Sequence, residues 1–301
     1  MKVLIIKLNA TGDVVRTTPL LRRLPGEITW VTARNNMVLL HQLAENLFPF
    51  SWEDRDTVLG IEYDLVINLE DDADVAAFVQ QVRYKQLFGA HINGQNTVSY
   101  TEDSCRWFDL SLISVYGRKR ADQLKFQNRC AYQQLIFDGL GLHFEGEKYL
   151  LPETVATDLS GDVAIAPVAG AVWPMKNWAH YDQLQRELEA KGLKVNVLPK
   201  RGSLLEHLAD VRNHRLLVGG DSLPMHLALG SEVPCVTLFT CTSPWEIYDY
   251  GIQTKIVSPL LGEFFYSRGF DARATTAIGV EEVFSSVMAK ISSPSETDSS
   301  R

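Results

Sequence analysis

Residues 216–228, Leu-Leu-Val-Gly-Gly-Asp-Ser-Leu-Pro-Met-His-Leu-Ala, join a short apolar run to a helical segment through two glycines and an Asp-Ser pair. The run has strand length, and a strand, two glycines and Asp-Ser at a helix start make an anion-accepting turn. A single βα step of this kind decides the fold when its neighbours repeat it.

They do on both sides. Downstream, 235–239 reads as a strand ending in Thr240, Cys241 and Thr242. Upstream, 163–166 and 195–198 read as strands alternating with helices over 181–190 and 204–211, and a last helix covers 280–291. The first half has strand candidates at 3–8, 28–32, 65–69 and 86–92, with helices expected over 14–24, 75–82, 108–116 and 131–140. This alternation predicts βαβ units and parallel sheets. Periodicity stops between 141 and 162, where three Gly and one Pro fall, so the boundary is placed near 155. The expectation is an α/β chain of two Rossmann-like doubly wound domains, 1–155 and 156–291, whose strand ends face a central cleft. Residues 292–301 have nothing to bury and are expected to be disordered.

The 301 residues hold 29 Lys and Arg against 37 Asp and Glu, a formal charge of -8. That balance argues against a nucleic-acid or anionic-membrane binder, while leaving room for local basic pockets. No apolar stretch has the length of a signal-peptide core or a membrane span, so a cytoplasmic protein is expected. Cys105, Cys130, Cys235 and Cys241 form no CxxC pair and suggest neither a disulfide framework nor a zinc site.

The first strand runs into Asn9-Ala10-Thr11-Gly12-Asp13 before a helix. One reading makes Thr11 or Asp13 the N-cap of that helix. The other makes Asp13 a general base that accepts a hydroxyl proton, with Gly12 admitting the bound molecule close to the backbone. In the second half, Pro167-Val168-Ala169-Gly170-Ala171 follows a strand and Lys176 lies just beyond, as backbone N–H groups and a compensating charge for a phosphate would require. Ser222 and His226 lie one helical turn apart on one face, so His226 is either a buried structural side chain or a ligand contact.

Together these segments resemble the ADP-heptose lipopolysaccharide heptosyltransferases, inverting glycosyltransferases of the GT-B architecture. The resemblance rests on the Gly12-Asp13 helix start, the Lys176-Asn177-Trp178 segment and the run from Gly219 to Ala228, and it spans almost the whole chain. It implies a GT-B fold and transfer of a heptose from a nucleotide diphosphate, ADP-heptose, to a saccharide or lipid-saccharide acceptor in lipopolysaccharide or other surface-glycan synthesis. It implies Asp13 as catalytic base, with Lys176, Asp221, Ser222 and His226 around the donor. Gly170, Ala171, Gly220, Thr240 and Thr242 are further expected donor contacts, and Thr11, Gly12 and Arg16 are expected on the acceptor side. Neither metal nor cofactor is implied, and membrane contact is at most a peripheral encounter with a lipid acceptor. Arg22, Arg83, Arg118 and Lys119 are further candidates for an acceptor pocket. The final helix is a candidate to pack back on the first domain.

Two departures bear on the donor: the loop 198–203 is short, with Glu206 as a doubtful stand-in for an acidic residue, and Thr240 replaces a glycine. Rival readings are a nucleotide-sugar epimerase of the same architecture and a catalytically inactive binding protein. Gly220-Asp221-Ser222-Leu223 spells an esterase signature but has no histidine after His226. Asp72-Ala73-Asp74 imitates a metal-binding DxD, for which helix-dipole complementation is the plainer account.

Overall fold

The computed structural model describes residues 1–170 and 172–292. Ala171 and the tail expected beyond the last helix, from 293 on, lie outside the described residues. The chain divides into two compact units, one of Met1–Pro152 with Trp245–Tyr248, the other of Glu153–Pro244 with the described residues from Asp249 on.

The first unit is built on strands β1 Lys2–Ile6, β2 Glu27–Thr32, β3 Leu47–Ser51, β4 Glu62–Asn68, β5 Arg83–Ile92 and β6 Val98–Tyr100, in the order β3-β2-β1-β4-β5-β6. All pairs are parallel except β5 with β6. Both faces of β1 are covered. Val3 and Ile5 join a core with Trp30, Ile67 and Phe88, while Leu4 and Ile6 join another with Val66, Val75 and Phe78. Opposite faces receive alternate side chains, and a strand buried on both faces reads as the unbroken apolar run seen in the sequence.

The second unit holds β7 Gly161–Ala166, β8 Val195–Val197, β9 His214–Gly220, β10 Cys235–Phe239 and β11 Gln253–Val257, all parallel, in the order β11-β10-β9-β7-β8. Both orders are doubly wound, and each reverses direction beside its first strand, between β1 and β4 and between β7 and β9.

Several sequence expectations change. The helix expected over 14–24 is an α-helix at Thr11–Thr17 followed by a 3-10 turn at Thr18–Arg22 that accommodates Pro19. The helix expected over 108–116 is replaced by Cys105–Phe108 and a run of turns. There Ser111 Oγ and Ser114 Oγ accept the N–H groups of Ile113 and Tyr116, side-chain bonds that compete with helix formation. The helix Arg118–Gln127 was not read because its residues are mostly polar and only Ala121 is buried. The final helix, Val280–Ser292, packs Val283 and Val287 into the second unit's own core rather than returning to the first unit. The segment that does group with the first unit is Trp245–Tyr248.

Candidate active site

In the first unit the β1/β4 register pairs Ile6 with Asn68, so the residues after each strand run side by side at the point where strand order reverses. Glu70 Oε1 there accepts three hydrogen bonds, from Lys7 Nζ at 2.9 Å, Leu8 N at 2.6 Å and Asn9 N at 3.1 Å. Lys7 is 5% exposed. Burial pulls its ammonium down, but the charges of Glu70 and Asp13 outweigh that and hold it above the usual lysine range.

Asp13 stands in the first turn of the helix Thr11–Thr17. Its carboxylate lies 2.9 Å from Arg16 Nη2 and 3.8 Å from Lys7 Nζ. The N-cap reading fails: the cap is Ala10, no side chain caps the helix, and the Thr11 hydroxyl donates to Asn36 Oδ1 at 2.8 Å. Gly12 is the second residue of that helix. The Arg16 guanidinium lies 3.9 Å from the ring centre of Tyr132. Thr17 Oγ1 donates to Asp13 O at 2.6 Å, which leaves Tyr132 to donate to Thr17 across 2.9 Å. Burial pushes the Tyr132 phenol up to about 12.

Asp13, Lys7, Arg16, Glu70, Tyr132 and Glu246 line a cavity of about 370 Å3. Arg16 therefore reaches it, whereas Arg22 and Arg83 donate to the carbonyls of Lys148 and Gly60. Arg118 and Lys119 are exposed at the start of their helix. A carboxylate between two cations in the first turn of a helix, on a cavity wall, is placed to orient a hydroxyl and take its proton.

In the second unit the glycine pair lies inside β9 rather than in the turn after it. Gly219 pairs with Ala166, and a Cβ on Gly219 would come 3.1 Å from the Ala166 side chain. A Cβ on Gly220 would meet Lys176 O at 3.1 Å, so glycine brings the Lys176 segment against the strand end. Lys176 Nζ donates to Asp221 O at 2.7 Å and Asp221 Oδ2 at 3.0 Å.

Thr240 Oγ1 donates to Met175 O at 2.6 Å, so its hydroxyl secures the turn that carries Lys176. That is a supporting contact to the Lys176 segment. The hydroxyls of Thr242 and Ser243 are buried without a hydrogen-bond partner among the described residues. Ser222 precedes the helix Leu223–Gly230 as its backbone cap, and among the described residues its Oγ reaches only Gly220 O, at 3.5 Å. His226 is buried in that helix, and Gly170 is exposed with open space on its Cβ side. Glu206 completes a capping box with Ser203, and Arg201 grips the buried Asp210 with bonds of 2.6 and 2.8 Å, so the short loop is fixed by its own contacts. Asp72 caps its helix by accepting from Asp74 N and Val75 N.

Sequence reasoning missed Lys7, Glu70, Tyr132 and Ser243. A Lys at position 7 closing the apolar run 3–8 was the available signal, since a charge at the end of a buried strand calls for a partner.

Residues 168–263 match the sequence model of glycosyltransferase family 9 (heptosyltransferase). This stretch resembles a family 9 glycosyltransferase domain. The match supports glycosyltransferase activity of the heptosyltransferase kind, and it encloses Lys176, the β9 turn and Thr240. At the sequence level no curated protein matches the chain. Among solved structures, the E. coli heptosyltransferase WaaC is 18% identical, with 96% of this chain and 100% of that one covered at a TM-score of 0.58. A family 9 glycosyl transferase from Veillonella parvula DSM 2008 is 16% identical, with 96% and 97% covered at 0.62. The E. coli ADP-heptose lipopolysaccharide heptosyltransferase II is 15% identical, with 97% and 98% covered at 0.62. At these identities the likeness is one of fold, the GT-B type of the heptosyltransferases.

Proposed function

We propose that this family 9 chain is a cytoplasmic inverting heptosyltransferase that moves a heptose from ADP-heptose to a hydroxyl of a saccharide or lipid-linked saccharide in lipopolysaccharide or other surface-glycan synthesis. The observation that carries the reading is the Asp13 carboxylate on the wall of the first unit's cavity, beside Lys7 and Arg16. In this reaction Asp13 takes the acceptor's proton as the hydroxyl oxygen bonds to the anomeric carbon. The bond from that carbon to the diphosphate breaks, and ADP leaves with the electron pair. A single displacement inverts the carbon.

On this reading the second unit holds the donor. Lys176 Nζ donates to Asp221 O and Oδ2, and its remaining donor would serve the departing diphosphate. Gly170, Ala171, Gly220, Ser222, His226 and Thr242 complete the donor set, with Thr240 acting through Met175. The ADP choice is supported by the E. coli WaaC structures, one with ADP and one with ADP-2-deoxy-2-fluoro heptose. The family match speaks for a transferase over an epimerase or an inactive binding protein.

Thermal-shift titration with ADP, UDP, GDP, CMP and their sugars, on wild type, Lys176→Ala and Asp221→Ala, tests the donor site. ADP at about 100 times Kd adds about 2.7 kcal/mol. Selective ADP stabilisation lost in both variants is the expected result, and selective stabilisation by another nucleotide replaces the donor. Asp13→Asn should slow transfer about 10²- to 10⁴-fold; turnover near the wild-type rate removes Asp13 from the base role.

A further inference from the structure

Leu110, Ser111 and Leu112 line the first unit's cavity, and just beyond them the chain turns its apolar side chains outward. Leu112, Val115 and Tyr116 are 58%, 65% and 61% exposed. Their backbone is tied down: Tyr100 OH accepts from Val115 N at 3.2 Å and donates to Asp109 Oδ1 at 2.5 Å, and Ser114 Oγ accepts from Tyr116 N. Exposed apolar residues scattered singly are ordinary, but three within five positions, the first of them lining the cavity, mark an interaction surface.

The helix that follows opens on Arg118, Lys119 and Arg120, all exposed. From 110 to 129 the sequence carries five Lys or Arg against one Asp, in a chain of net charge -8. The start of this helix is thus locally basic in an acidic chain, with Arg118 also 3.7 Å from Asp122 and Lys125 3.7 Å from Glu246. Among the described residues no helix is long and apolar enough to cross a membrane.

We propose that residues 112–120 dock on an anionic lipid bilayer, with Leu112, Val115 and Tyr116 among the headgroups and Arg118, Lys119 and Arg120 against lipid phosphates. Charge complementarity selects the bilayer, because an apolar knuckle beside a basic cluster matches the order of acyl boundary and phosphate in an interface. Docking would bring the cavity mouth to the membrane, where a lipid-linked acceptor presents its hydroxyl. That last consequence rests on the transferase reading; the docking does not, and vesicle binding is read without turnover.

The test is flotation of the full chain with phosphatidylcholine vesicles with and without phosphatidylglycerol, at low and high salt. Wild type should float with the anionic vesicles only, and less at high salt. Replacing Arg118, Lys119 and Arg120 together by Gln should weaken binding about a hundredfold, at about fivefold per charge. Val115→Ser with Tyr116→Ser should weaken it while preserving the salt dependence. A variant whose circular-dichroism melt departs from wild type is replaced by Lys119→Gln or Val115→Ser alone. Binding to neither vesicle, equal binding to both, or a charge variant that floats like wild type overturns the proposal. So does a dimer in ultracentrifugation that the Val115/Tyr116 variant abolishes, which would assign the surface to self-association.

Discussion

Replacing Glu70 by Ala should destabilise the first unit and disable transfer together, because one carboxylate oxygen organises the loop that leads to Asp13. The Lys7 and Glu70 side chains are only 6% and 12% exposed, so solvent does little to screen the pair. Removing one partner of a buried pair costs about 3–5 kcal/mol. Asp13 remains 3.8 Å from Lys7 Nζ and retains part of the compensation, which puts the cost at the lower end, about 3 kcal/mol. At about 2–4 °C per kcal/mol for a unit of this size, the melting temperature should fall by roughly 6–12 °C. Since Lys7 is raised above its unfolded value, the stabilisation is complete below the ordinary lysine range and is lost only as pH rises through the folded value. The gap between wild type and variant should therefore be flat from about pH 6 to about pH 9. Urea denaturation gives the free energy and initial rates give turnover, with Glu70→Gln keeping an acceptor for Leu8 and Asn9 while removing the charge. A difference below about 1 kcal/mol, in the range of surface ion pairs, with unchanged kcat would refute the reasoning.

Thr240→Val keeps the shape but leaves the buried Met175 carbonyl without its partner, which should cost about 1–3 kcal/mol in urea denaturation and weaken nucleotide binding by loosening the Lys176 turn. Unchanged affinity in a destabilised variant would separate Thr240 from the donor site. In the second unit His214 is held neutral: Nδ1 donates to Asp210 O at 2.6 Å, so Nε2 accepts from Asn196 Nδ2 at 3.0 Å. Burial lowers its pKa, so the unfolded chain binds the proton better. Stability from His214 is complete above the unfolded value near ~6.5 and is lost as pH falls through the folded one. His214→Asn, whose amide can take over the bond to Asp210 O, should flatten that acid-side decline in urea titrations; an unchanged slope would place the decline elsewhere.

What the sequence reveals and conceals has physical reasons. The central strands were legible because burial on both faces leaves uninterrupted apolar runs such as 3–8 and 235–239. The edge strand β8 was read, but two other edge strands were not: β3 carries Pro49, tolerated only because the strand has a free side, and β11 is a mixed Gln-Thr-Lys-Ile-Val run. Asp13, Lys176 and Asp221 stood out in the sequence as charges in the segments that follow β1, β7 and β9. Glu70 was not, because its importance lies in register: only the pairing of Ile6 with Asn68 brings it beside Lys7, 63 positions away. Thr240 was read by chemical type as a ligand, and nothing in its neighbours in sequence points to Met175, 65 positions distant.

The return of Trp245–Tyr248 to the first unit bears on how the chain is made. Glu246 O accepts from Tyr132 N at 2.9 Å, Trp245 stacks under Arg129 at 3.7 Å and meets Phe126 edge-on, and Tyr248 packs on Phe144. During synthesis an N-terminal domain ordinarily folds as soon as its own residues have emerged. Here the residues up to Pro152 leave the ribosome with these partners still untranslated. The first unit must wait, incomplete, while most of the second is synthesised, and a fragment cut at the boundary would lack part of its own fold.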